Sequence, residues 1–168
     1  MSGVLLETEN RGRRMAPQDI EVRSRVGLDL NPLDPADPDN RMWLEALIWP
    51  EHHERRSRLR AALDIAAGGD SRFVAGDALE TLGPTLDSVP VGHPVVVLNS
   101  FILNQFDPED RSRIGDIVDW AREDRPVFRV SMEWLSKETD AAVVAVDDGS
   151  GLRQVGLAHP HGEWIDFE

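Results

Sequence analysis

Three short apolar runs that each stop at an acidic or amide residue constrain this chain more than any other feature. Val26-Gly27-Leu28 halts at Asp29, ahead of the turn Asn31-Pro32-Leu33-Asp34; Phe73-Val74-Ala75 halts at Gly76-Asp77; Val95-Val96-Val97-Leu98 halts at Asn99-Ser100. Helix-like sequence separates each run from the next. Short apolar strands alternating with helices build a parallel sheet, and the carboxyl edge of such a sheet is where α/β folds bind ligands. The pattern gives a place for a site before it gives a reaction.

The intervening sequence supplies the helices. Asp37-Pro38 is an N-cap followed by proline at the first helical position, and Met42, Trp43, Leu47 and Ile48 give that helix an apolar face before Pro50. Leu59, Ala62, Leu63 and Ala66 repeat at helical spacing, and Gly68-Gly69 ends the segment. Asp77 and Glu80 have the spacing of a capping box before a short helix from Ala78. The run Pro94 to Leu98 is apolar on both alternating faces, which predicts a central parallel strand covered on both sides. Asp107-Pro108-Glu109 starts another helix, with Ile114, Ile117, Val118 and Ala121 as its buried face, and Val127 to Met132 reads as a strand.

The end changes character. Ala141 to Val146 and Leu152 to Ala158, joined by Asp147-Asp148-Gly149-Ser150-Gly151, predict an antiparallel hairpin. The expected fold is therefore doubly wound α/β, mostly parallel, with right-handed crossovers and a C-terminal antiparallel hairpin. Residues 1–24 are polar and Arg-rich and read as an extension or a remnant, leaving 25–168 as a single domain.

Charge and composition remove several function classes. Cysteine is absent, so disulfides, thiolate nucleophiles and Cys-type zinc sites are excluded. The formal charge of -13 would repel a phosphate backbone, which argues against nucleic acid as a partner. No apolar run approaches the ~18 residues of a membrane span, and residues 1–15 hold no signal-peptide core, so a cytoplasmic location is expected. Lys137 is the only lysine. An acidic, lysine-poor surface suits a halophilic protein, whose carboxylates hold water and counterions in salt; a GC-rich genome, coding for Arg and Asp, gives the same balance.

The segments Arg25 to Asp34, Trp43-Leu44-Glu45-Ala46-Leu47-Ile48-Trp49-Pro50-Glu51, Val74-Ala75-Gly76-Asp77-Ala78-Leu79 and His159-Pro160-His161-Gly162 resemble the prokaryotic domain-of-unknown-function family 2332. The resemblance runs from Arg25 to Phe167. Members of that family have no established activity and look like S-adenosylmethionine-dependent methyltransferases of the Rossmann-like type. What the resemblance implies is a methyltransferase-type sheet in which Asp29, with Asn31 beside it, accepts the ribose hydroxyls of the cofactor. Asp77 and Ala78 would lie beside the adenine, and Asn99, Ser100 and Phe101 would face the methyl acceptor.

The chain departs from that pattern upstream. It lacks the half that carries a Gly-rich loop after the first strand, so the first strand is expected to be missing; the stretch Val4 to Gly12 has one glycine where close approach to a ligand needs two or three.

Each candidate has a plainer role beside the functional one. Asp29, Asn31 and Asp34 are also turn formers, and Asp77 is also a helix cap. His159 and His161 could share a metal as weak candidates, or simply close a loop at the sheet edge. Glu51-His52-His53-Glu54 lacks the spacing of a zinc peptidase. Trp43 and Trp49 either line a pocket for a planar ligand or belong to the core. Glu133, at a strand end, is the weak candidate for a general base.

Two functions stand from this reading. The first is an S-adenosylmethionine-dependent methyltransferase-like protein with a small-molecule or nucleoside ligand. The second is a non-catalytic binding or assembly module that has lost the cofactor loop. In either case the sheet edge beside Val26 to Leu30 needs a cover, from the amino-terminal extension, a separate partner supplying the missing strand, or a second copy in a homodimer.

Overall fold

The structure, a computed structural model, describes residues 21–69, 72–135 and 141–167. The order of elements is β1 (Val26–Asp29), α1 (Pro38–Ala46), α2 (His53–Ala67), β2 (Arg72–Ala75), α3 (Ala78–Asp87), β3 (Val95–Ser100), α4 (Pro108–Ala121), β4 (Val127–Trp134), β5 (Ala142–Asp147), β6 (Arg153–Ala158) and β7 (Ile165–Phe167), with a 3-10 turn at Leu103–Gln105. The chain is α/β with mixed sheets. Two compact units divide after Thr81.

In the first unit β1 and β2 pair in parallel, Gly27 opposite Phe73 and Asp29 opposite Ala75. α1 begins as its sequence predicts, with the Asp37 carboxylate accepting the Asp39 amide at 2.8 Å and proline in the first turn. α2 ends at Gly68. The two helices are tied by Arg60 to both oxygens of Glu45, at 2.9 and 2.6 Å, and by Arg41 to Asp64. Their apolar faces correct the sequence reading. Of the α1 stripe only Ile48, just past the helix, is buried, while Met42, Trp43 and Leu47 stand more than half exposed; of the α2 stripe only Leu63 is buried.

In the second unit the strand order is β3-β4-β5-β6-β7. β3 and β4 are parallel and the remaining pairs antiparallel. The hairpin β5–β6 forms where its turn residues place it, and the register skips Val155 between Val144 and Ala145, a bulge. β7 was not legible in the sequence. It docks on β6 because Gly156 has no side chain: a Cβ there would sit 2.2 Å from the Asp166 carbonyl oxygen.

The core of this unit comprises Leu82, Leu86, Ile114, Val118, Ala121, Val127, Ala142, Val144, Ala145 and Ala158. Of the four residues expected on the buried face of α4, Ile114, Val118 and Ala121 are buried and Ile117 is half-buried; Asp107 caps the helix, its carboxylate accepting the Asp110 amide at 2.9 Å. β3 departs from expectation. It is an edge strand, not a central one, and the face carrying Val96 (61% exposed) and Leu98 (71%) is open. An apolar run on both faces says that a strand can be covered twice, but not that it is. The sequence reading had one continuous parallel run closed by a hairpin; the two- and five-stranded sheets replace it.

Candidate functional site

β1 and β2 deliver Asp29 and Asp77 to one edge. The two strands run parallel in register, and the Gly76 amide, one residue past β2, donates to the Asp29 carbonyl at 2.9 Å. Gly76 has φ +143°, a conformation open to glycine, and a Cβ would meet Thr81 Cγ2 at 2.9 Å. The backbone beside Asp77 is thus set by glycine. Each carboxylate is then oriented by its own chain: Asp29 Oδ1 accepts the Asn31 amide at 2.8 Å, and Asp77 Oδ1 accepts the Leu79 amide at 2.8 Å as α3 begins. Asn31 and Ala78 therefore lie within two residues of these carboxylates, Asn31 as an amide donor and Ala78 as the first residue of α3. The Thr81 hydroxyl adds a bond to the backbone here, its Oγ1 donating to the Asp77 carbonyl at 2.7 Å. Turn-forming and capping roles are realised at both acids, through one carboxylate oxygen each; neither Oδ2 takes a bond from a described residue.

The second unit gathers a denser polar group at the carboxyl ends of β3 and β4. Glu133 Oε1 accepts from Asn99 Nδ2 at 2.9 Å, from the Ile102 amide at 3.2 Å and from the Leu103 amide at 3.1 Å, and Oε2 accepts from Asn104 Nδ2 at 2.9 Å. Asn99 Nδ2 also donates to Ser131 Oγ at 2.9 Å, and Asn99 Oδ1 accepts Arg129 Nε at 3.2 Å. Burial pushes the Arg129 guanidinium below its usual range, and the charges of Asp147 and Glu133 partly offset that. Phe101 bridges strand and turn with φ +54°, a left-handed conformation that costs a side-chain-bearing residue about 1–2 kcal/mol. Its ring lies 5.0 Å from that of Trp134, and its amide donates to the Met132 carbonyl. Ser100 is exposed beside this knot.

This arrangement changes the part Glu133 can play. A carboxylate that already accepts from four donors of its own chain has little room left to take a proton from a substrate. Its geometry is that of a positioning group for the turn after β3.

His159 and His161 come together with ring centres 5.6 Å apart, and the Trp164 ring lies 6.2 Å from His159. His159 Nδ1 accepts the His161 amide at 3.2 Å, which is the loop-closing arrangement. Among the described residues, no group of three or more His, Cys, Asp or Glu side chains is gathered as metal ligands would be. Trp43 (60% exposed) and Trp49 (72%) are not core residues.

A family model described as an uncharacterized protein conserved in bacteria (DUF2332) matches residues 1–167. The chain belongs to that family. No curated protein and no solved structure matches it. Within this DUF2332 chain, the residues that sequence reasoning missed are Asn104, Arg129 and Ser131. Arg129, Ser131 and Glu133 recur at every second position of β4, so they share one face, and that alternation was the available signal.

Proposed function

We propose that the carboxyl edge of β1 and β2 binds S-adenosylmethionine or a related nucleoside, in the manner of a methyltransferase-like protein. The observation that carries this reading is the shared edge: adjacent parallel strands end with Asp29 opposite Ala75 and Asp77 two residues beyond it, each acid bonded locally through one oxygen. A carboxylate with a spare oxygen suits the two hydroxyls of a ribose, and a second one suits the amino group of adenine. Bound there, S-adenosylmethionine supplies an electrophilic methyl group. The protein's task is then to align an acceptor and exclude water, with no nucleophile of its own, which agrees with a chain that has no cysteine.

The fit covers the nucleoside and not the methionine tail. The sequence has no Gly-rich loop of the kind whose amides approach that tail, so affinity rests on the ribose and the base. Saturation-transfer NMR with adenosine and 2′,3′-dideoxyadenosine tests the assignment. Adenosine is expected to give a signal that the dideoxy compound and the Asp29→Ala variant both lose; equal signals from the two nucleosides would reject Asp29 as the ribose ligand.

A second reading is favoured by the open edge and face of β3. An uncharged edge strand with Val96 and Leu98 exposed is the kind of surface that natural sheets cover. A non-catalytic assembly module, closing that edge with a second copy or with a partner's strand, accounts for it. Light scattering separates these: a homodimer that Leu98→Asp converts to a monomer supports self-assembly, and a wild-type monomer opposes it.

A further inference from the structure

The first unit also holds an open pocket of about 270 Å³, lined by Pro32, Leu33, Asp34, Pro35, Phe73 and the end of α2 but by neither Asp29 nor Asp77. Its lining side chains are apolar apart from the Asp34 carboxylate. Phe73 lies over Gly27, where a Cβ would stand 2.7 Å from the ring, so glycine is what lets an aromatic ring occupy that position; about half of Phe73 remains exposed (49%). The pocket is small even against ordinary ligand sites of ~300–1,000 Å³, which suits a compact ligand over a whole nucleotide.

Three properties of the lining select the same sign of charge. Asp34 is its only ionisable residue; its Oδ1 is fixed by the Ala36 amide at 2.8 Å, and it forms no ion pair among the described residues. The C-terminal end of α2, represented by Ala66, Ala67 and Gly69, carries the negative pole of the helix and has no basic residue in its last turn. Phe73 offers a ring whose faces attract cations. The same corner already holds one guanidinium, since Arg41 donates to the Pro35 carbonyl at 3.1 Å and to Asp64, next to the α2 end. That arginine satisfies Asp64 and leaves Asp34 to another partner.

The geometry points to a site for a small organic cation, an alkylammonium group carried on an apolar body, with the ammonium at Asp34 and the body against Phe73, Leu33 and Pro32. An exposed carboxylate in the lining discriminates by charge, while the prolines and the phenylalanine bind the body without choosing its details. The overall charge of -13 raises the local concentration of such cations.

The test uses the full chain, amide-resolved NMR titration, and two probes of matched shape and opposite charge, 2-phenylethylammonium and 3-phenylpropionate. The ammonium is expected to shift the amides of Leu33, Ala67 and Phe73 saturably, with the carboxylate at least about tenfold weaker. Asp34→Asn keeps the oxygen that accepts the Ala36 amide, so it preserves the turn, and it should remove most of the preference. Adenosine in excess should not displace the ammonium from these amides, which separates this site from the nucleoside edge whichever way that reading falls. Equal binding of the two probes, no saturable shift at these amides, or a preference that survives Asp34→Asn would each overturn the proposal.

Discussion

Glu133 and Asn99, on neighbouring parallel strands, are joined at 2.9 Å, and the same carboxylate oxygen also takes the amides of Ile102 and Leu103. One side chain from β4 thus fixes the path of the chain after β3. Because Phe101 in that turn sits in the left-handed region, the bonds to Glu133 hold a conformation that the backbone alone disfavours.

Replacing that carboxylate should release the turn. Glu133→Gln keeps one acceptor oxygen but sets an amide donor against other donors, and loss of charge-assisted bonds is expected to cost about 2–4 kcal/mol. Denaturant unfolding reads the loss, and hydrogen exchange should quicken at Ile102 and Leu103 before it does at Val97. A change below about 0.5 kcal/mol would show that the knot contributes little.

Asp147 gives the second unit an acid-sensitive anchor. Burial raises its carboxyl, but the Gly149 amide, the Arg122 guanidinium and the Gly151 amide outweigh burial and hold it below the ordinary aspartate value. A depressed carboxylate contributes stability that is present above its unfolded pKa and lost as pH falls through the folded one. Stability should therefore decline from about pH 5 downward, and Asp147→Asn should flatten that decline while lowering stability at neutral pH by about 1–3 kcal/mol. An acid limb unchanged by the substitution would remove Asp147 from the account.

Gly156→Ala should detach β7. The added Cβ would overlap the Asp166 carbonyl at 2.2 Å, and backbone cannot yield as a flexible side chain does. Exchange protection should fall along Ile165 to Phe167 while the β4–β5 ladder stays protected; retained protection at the β7 amides would contradict the close approach.

How much of this was legible in the sequence depends on the range of the interaction that decides it. Asp37 and Asp107 cap their helices as read, and the turn at Asp147 to Gly151 closes the expected hairpin, because these are contacts between residues a few positions apart. The status of β3 was not legible. Val96 and Leu98 look the same in a central strand and in an edge strand, and only the partners on either side tell them apart. The tie from Glu133 to Asn99 spans 34 residues, so neither position announces it. β7 is too short to stand out: Ile165-Asp166-Phe167 shows one alternation, and what recruits it is the glycine opposite.

Asp77 allows its two roles to be separated. Asp77→Asn keeps a capping oxygen for the Leu79 amide and should change stability little, whereas Asp77→Ala should cost about 1 kcal/mol as caps do. If the carboxylate also contacts a ligand, Asn and Ala should weaken nucleoside binding alike; binding that follows stability instead would make Asp77 a cap alone.

Calorimetric titration of the chain with S-adenosylmethionine, beside its Asp29→Ala variant, tests the central claim most directly. Weak, saturable binding to the parent is expected, since nucleoside contacts act without amides for the tail, with a loss of at least about tenfold in the variant. Tight binding unaffected by Asp29→Ala, or no binding to the parent at all, would contradict the assignment of the β1–β2 edge as a nucleoside site.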